Sequence, residues 1–84
     1  MGGTGSVTVD GAAVYAHFAT DAGRVRLRVS ADERDRLGLH PGRPVALGLL
    51  GRPAVRALVT GVRADPPFAW AEFETAGAVA VRAA

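Results

Sequence analysis

The chain has 84 residues, no cysteine, and a net charge of +2 set by ten arginines against eight acidic residues, with no lysine. That length supports one domain with a thin core, and the missing thiols exclude disulfides and thiolate metal sites. A surplus of two charges is a weak argument for nucleic acid, no apolar run approaches the ~18 residues of a membrane span, and the start MGGTGSV has no basic or apolar part of an export signal, so a cytoplasmic setting is expected.

Residues 1–5 are glycine-rich and read as a disordered tail. Met1 to Ser6 also fits the pattern M-G-x-x-x-S of myristoylation, and the tail is the reading adopted. Alternation with period two then dominates. It predicts strands over 6–9 and 13–20, the second with Val14, Ala16 and Phe18 on one face. Asp21-Ala22-Gly23 is a turn. A strand over 24–29 follows, with Val25, Leu27 and Val29 on one side and Arg24, Arg26 and Arg28 on the other. Ser30 and Glu33 form a capping box, S-x-x-E. Asp32 and Glu33 in the first turn and Arg34 and Arg36 near the end suit the helix dipole, and Gly38 supplies the stop. One short helix is therefore predicted over 31–37. His40-Pro41-Gly42 turns the chain into a strand over 44–50, Gly51-Arg52-Pro53 breaks it, and another strand runs over 54–62. After Asp65-Pro66-Pro67, residues 68–74 and 78–82 read as a final hairpin around Gly77.

An internal repeat underlies this order. Tyr15-Ala16-His17-Phe18-Ala19-Thr20 aligns with Trp70-Ala71-Glu72-Phe73-Glu74-Thr75 at an offset of 55. Each run passes through Ala-Gly to an alternating segment, 25–28 in the first copy and 79–82 in the second. The domain over 6–84 thus holds about one and a half units, copy one over about 7–50 and copy two over about 59–84.

The acidic-glycine turn at Asp21 and Gly23, the strand from Val25 to Val29 and the run Ser30 to Arg36 lead into Leu37-Gly38-Leu39-His40-Pro41-Gly42-Arg43-Pro44-Val45. Over residues 14–49 this resembles the molbindin (Mop) or TOBE domain family. The resemblance implies an all-β fold, a small OB-like β-barrel with one short helix. Family members are free-standing molybdate-binding proteins or regulatory domains of ABC-importer ATPases. The expected function is accessory: binding of a small ligand, with molybdate or another oxyanion implied, or regulation and assembly in ABC-type import. The family's opening Ser, Arg and Asn donors have no counterpart in Gly2 to Ser6, and the positions of its lysine and serine fall near Leu50 and Arg52, so weak molybdate binding is expected. The alternatives are a swapped-hairpin transcription regulator, which would lay the arginine strand on DNA, and a remnant of a transporter ATPase.

No hydrolase elbow, zinc-protease or phosphate-loop motif is present, and no enzyme is expected. His17 and His40 read as solvated, with no metal role. Arg24, Arg26 and Arg28 share one strand face, and Arg24, Arg26 and Ser30 are the candidate ligand-binding residues, contributing across a subunit interface. The R-x-x-x-R spacing of Arg24 and Arg28 lacks its companion motif for a cyclic dinucleotide. Tyr15 and Trp70 alternate away from Phe18 and Phe73, and bury in a neighbouring copy on this reading. A homo-oligomer is expected because the incomplete second copy leaves sheet edges open. ABC-transporter components are the other implied partners. DNA binding is expected to be weak and non-specific, since three arginines on one strand, opposed by eight acidic residues in the chain, make few phosphate contacts; Glu72 and Glu74, flanking Trp70 on its own face, repel phosphate there.

Overall fold

Alternating apolar residues need a common interior, and here the strands supply it by curling on themselves. The computed structural model describes residues 2–75. The elements are β1 (Gly2–Val9), β2 (Ala12–Asp21), β3 (Arg24–Ser30), α1 (Ala31–Leu37), β4 (Pro44–Leu49), β5 (Val55–Asp65) and β6 (Phe68–Thr75). They form a closed barrel in the order β1-β2-β3-β6-β5-β4, and β4 pairs back onto β1. Every pairing is antiparallel. The chain is thus two three-stranded meanders joined through α1, a small all-β barrel with one short helix. It is OB-like, with six strands where the OB-fold itself has five.

The alternation places its apolar half inside. Val7 and Val9, Val14, Ala16 and Phe18, Val25, Leu27 and Val29, Val45 and Leu47, Ala57 and Val59, and Ala71 and Phe73 form one core cluster. Leu37 and Leu39, on either side of Gly38, join it from the helix end. In β5 the register shifts between Val59 and Gly61. The extra residue at this bulge turns the inward face from Ala57 and Val59 to Val62.

The first strand begins earlier than expected. Residues 2–5, predicted as a disordered tail, are strand: Gly2, Gly3, Thr4 and Gly5 pair with Ala19, Phe18, His17 and Ala16. Their glycines carry no alternation signal, and the ladder comes from β2 across a two-residue turn. Asp10 and Gly11 both have positive φ, 50° and 84°, as a type I′ hairpin turn requires. The expectation of open sheet edges is also corrected in part. Each of the six strands has a neighbour on both sides; the β1–β4 ladder spans Val7 to Val9, and Gly2 to Gly5 pair with β2 alone. β6 lies between β3 and β5. The strand expected over 78–82, and with it the second half of the repeat, lies outside the described residues. Tyr15 to Thr20 fall in β2 and Trp70 to Thr75 in β6, so the aligned segments are both strands and flank β3 from its two sides.

The helix occupies the predicted residues. Ser30 Oγ accepts the Glu33 N–H at 3.0 Å, and Gly38 ends the helix in the left-handed region at φ 65°. Ser30→Ala should lower stability by about 1 kcal/mol, as lost N-caps do. Urea denaturation measures this, and an unchanged midpoint would show that the cap contributes nothing.

Arg43 and Asp10 hold the helix end of the barrel together. Arg43 donates to Leu37 O, to Gly38 O at 3.1 Å and to Asp10 Oδ2 at 2.8 Å. Asp10 Oδ1 accepts the Ala46 N–H at 2.8 Å. The β5–β6 connection, with a cis Pro66–Pro67 bond, meets the helix start through Ala31 N–H to Pro67 O at 3.3 Å. One barrel end is therefore closed by α1 and its loop. The other end carries the β2–β3 turn, the β4–β5 loop and the end of β6.

Candidate functional site

Because β3 is hydrogen-bonded on both sides, each of its outward residues has one neighbour on β2 and one on β6. Arg24 stands between Asp21 and Glu74, Arg26 between Ala19 and Glu72, and Arg28 between His17 and Trp70. All three arginines are exposed on one face, as alternation predicts. Their settings differ. Arg24 and Arg26 face carboxylates, although no ion pair within 4.0 Å joins them among the described residues. Arg28 faces rings: its guanidinium lies 4.8 Å from the Phe68 centroid and 6.0 Å from that of Trp70.

The candidate ligand residues do not all meet. Arg24 and Arg26 line one cleft of about 530 Å³ with Thr20, Asp21 and Glu72. Ser30 is six residues further along β3, roughly 20 Å at the rise of a strand. Its hydroxyl oxygen is engaged as the helix cap. One chain cannot bring Arg24, Arg26 and Ser30 to one small anion. Ser30 lines a different cleft, with Tyr15, His17, Arg28 and Phe68.

Tyr15 and Trp70 both face outward. Tyr15 is 79% exposed. Trp70 is half-buried, and the His17 ring meets it edge-on, 6.1 Å between centroids. His17 Nδ1 lies 3.2 Å from Thr4 Oγ1, so this histidine is packed and bonded rather than freely solvated. The sequence reading passed over Phe68, which is 41% exposed. Its signal is the register of β3 with β6, which sets Phe68 opposite Ser30 and cannot be read from either strand alone. Among the described residues, no three His, Asp or Glu side chains are grouped to hold a metal ion.

The barrel end opposite α1 holds a further cavity, of about 540 Å³. Val25, Leu47, Leu49, Val55 and Pro53 form its apolar wall, and Arg24 and Arg52 stand at the rim with Thr20, Asp21 and Thr75. Arg24 borders both this mouth and the cleft it shares with Arg26. Leu47 and Val25 are core side chains seen end-on, 2% and 6% exposed. Loop 50–54 supplies Arg52 and Pro53 because Leu50 and Gly51 turn the chain at positive φ, 51° and 76°. A barrel mouth with an apolar wall and a few charged groups is a common place for a small-ligand site.

No helix among the described residues is long and apolar enough to cross a membrane. No protein-family model, curated protein or solved structure matches the chain.

Proposed function

We propose that this chain is an accessory small-ligand-binding barrel, not an enzyme, and that it takes an anionic ligand at its open mouth. The observation that carries the reading is the joint presence of two guanidinium groups, Arg24 and Arg52, and an apolar wall of Val25, Leu47, Leu49 and Val55 around one cavity. The anionic group would sit on the arginines and an apolar remainder on the wall. This keeps an anion as ligand and changes its shape. A bare oxyanion such as molybdate is strongly hydrated and needs several donors converging on one point, and two rim arginines beside Asp21 supply few. A carboxylate with a short apolar tail fits better. A regulatory or assembly role in ABC-type import rests on the resemblance of residues 14–49, as does a cytoplasmic setting on the sequence. Against the DNA-binding alternative stand Glu74 and Glu72, registered opposite Arg24 and Arg26.

Calorimetry with molybdate, sulfate and a series of straight-chain carboxylates tests the reading. Each added methylene that enters the mouth contributes about 0.8 kcal/mol, so affinity should rise about fourfold per carbon until the cavity is full. Arg24→Ala and Arg52→Ala should each weaken octanoate binding about tenfold, the loss of one charge-assisted contact. Molybdate binding tighter than octanoate, or affinity indifferent to chain length, would contradict it.

A further inference from the structure

The outer face of the barrel carries a second, separate constellation at the plugged end. Tyr15, His17, Arg28, Ser30, Glu33 and Phe68 line a cleft of about 340 Å³, within the range of small-molecule sites. It shares no lining residue with the mouth. Three features of this cleft bear on what it could bind. Tyr15 and Phe68 are 79% and 41% exposed, two aromatic rings in water on either side of β3. Arg28 is held by the rings of Phe68 and Trp70, and its N–H groups have no carboxylate or carbonyl partner among the described residues. Glu33 bonds Arg36 through Oε2, and its Oε1 has no partner among the described residues.

Each feature selects a chemistry. An arginine oriented by cation–π contact presents its N–H edge for a bidentate grip on phosphate or carboxylate. Exposed aromatic rings stack planar heterocycles. A carboxylate oxygen accepts from an exocyclic amino group. The Ser30 hydroxyl accepts the Glu33 N–H, and its own proton is left to donate. We infer that this cleft binds a planar heteroaromatic ring bearing an amino group and a phosphate, the chemistry of an adenine-type nucleotide. The phosphate lies on Arg28, the ring on Tyr15 and Phe68, and the amino group on Glu33.

Trp70, the chain's single tryptophan, sits beside Arg28 and reports occupancy by fluorescence. The probes are adenosine 5′-monophosphate, adenosine, ribose 5-phosphate and inosine 5′-monophosphate. The first should bind at least tenfold more tightly than each of the others, which lack in turn the phosphate, the ring and the amino group. Arg28→Ala should reduce the monophosphate to the affinity of adenosine, and Glu33→Gln should narrow the difference between the adenosine and inosine nucleotides. Tyr15→Ala should weaken binding while Tyr15→Phe retains it, which separates stacking from the hydroxyl. Far-ultraviolet circular dichroism checks that each variant is folded. A short oligoadenylate at two salt concentrations tells the source apart. Equal affinity with the mononucleotide identifies a free nucleotide, and tighter, salt-sensitive binding identifies a strand; both support the cleft. Ribose 5-phosphate binding as tightly as adenosine 5′-monophosphate, monophosphate binding unchanged in Arg28→Ala, or no binding of any probe would overturn it.

Discussion

Phe73→Ala should cost about 3–5 kcal/mol, the usual range for removing a buried aromatic ring. Phe73 is fully buried and lies on β6 between Val25 of β3 and Val59 of β5. It therefore packs at the seam where the two meanders meet. The alanine on the same inner face, Ala71, is fully buried too, so small neighbours leave the ring to fill the space, and a cavity there cannot collapse cheaply. Domains of this size have total stabilities of roughly 4–12 kcal/mol, and each kcal/mol moves the thermal midpoint by about 4–8 °C. The variant should melt at least about 12 °C lower or be unfolded at room temperature. Tyr15→Ala, on the exposed face, should change stability by less than about 0.5 kcal/mol. A Phe73→Ala protein within about 1 kcal/mol of the parent would show that the core is not packed as described.

Arg43→Ala should be the most damaging change to a charged residue, at about 2–3 kcal/mol. Its guanidinium bonds two carbonyls at the helix end, Leu37 O and Gly38 O, and the Asp10 carboxylate in the β1–β2 turn. Hydrogen bonds to charged groups contribute roughly 1.5–3 kcal/mol each, and the side chain is 32% exposed, so their sum is discounted for solvent. Loss of Arg43 leaves the last carbonyls of α1 without this donor and frees the plug from the turn. Arg43→Lys should recover only part of the loss, because one ammonium cannot span acceptors set for a planar fork. Asp10→Asn keeps an acceptor for the Ala46 N–H and tolerates positive φ, so it should cost less than Asp10→Ala. Urea denaturation of the four variants checks the ranking. Equal stability of Arg43→Ala and the parent would remove the latch from the account.

What the sequence revealed divides along the range of the interactions. β2, β3 and α1 were legible because their signals are local: strict alternation, the turn at Gly23, the Ser30–Glu33 box and the stop at Gly38. β1 was read short because Gly2, Gly3 and Gly5 have no side chains to alternate, although Asp10-Gly11 was a readable hairpin signal. The closing pairs β1–β4 and β3–β6 join residues far apart in the chain, and no local pattern announces them. The same split governs the binding surfaces. Alternation put Arg24, Arg26 and Arg28 outside together with Tyr15 and Trp70. Register alone decided that two of those arginines meet carboxylates and the third meets rings. Ser30 was legible as the cap of α1, which its oxygen is, whereas its distance from Arg24 and its place in a different cleft follow from the strand's length and register.

The two barrel ends then follow from one asymmetry. The chain crosses from β3 to β4 by way of α1, and Leu37 and Leu39 close that end. The opposite end is crossed by a short turn and loop, and core side chains show at its surface. The most direct test is an amide NMR titration with octanoate. Shifts are expected at Arg24, Val25, Leu47, Leu49, Arg52 and Val55, and none along α1 or the loop that follows it. Shifts centred on α1, or no shift at saturating ligand, would contradict it.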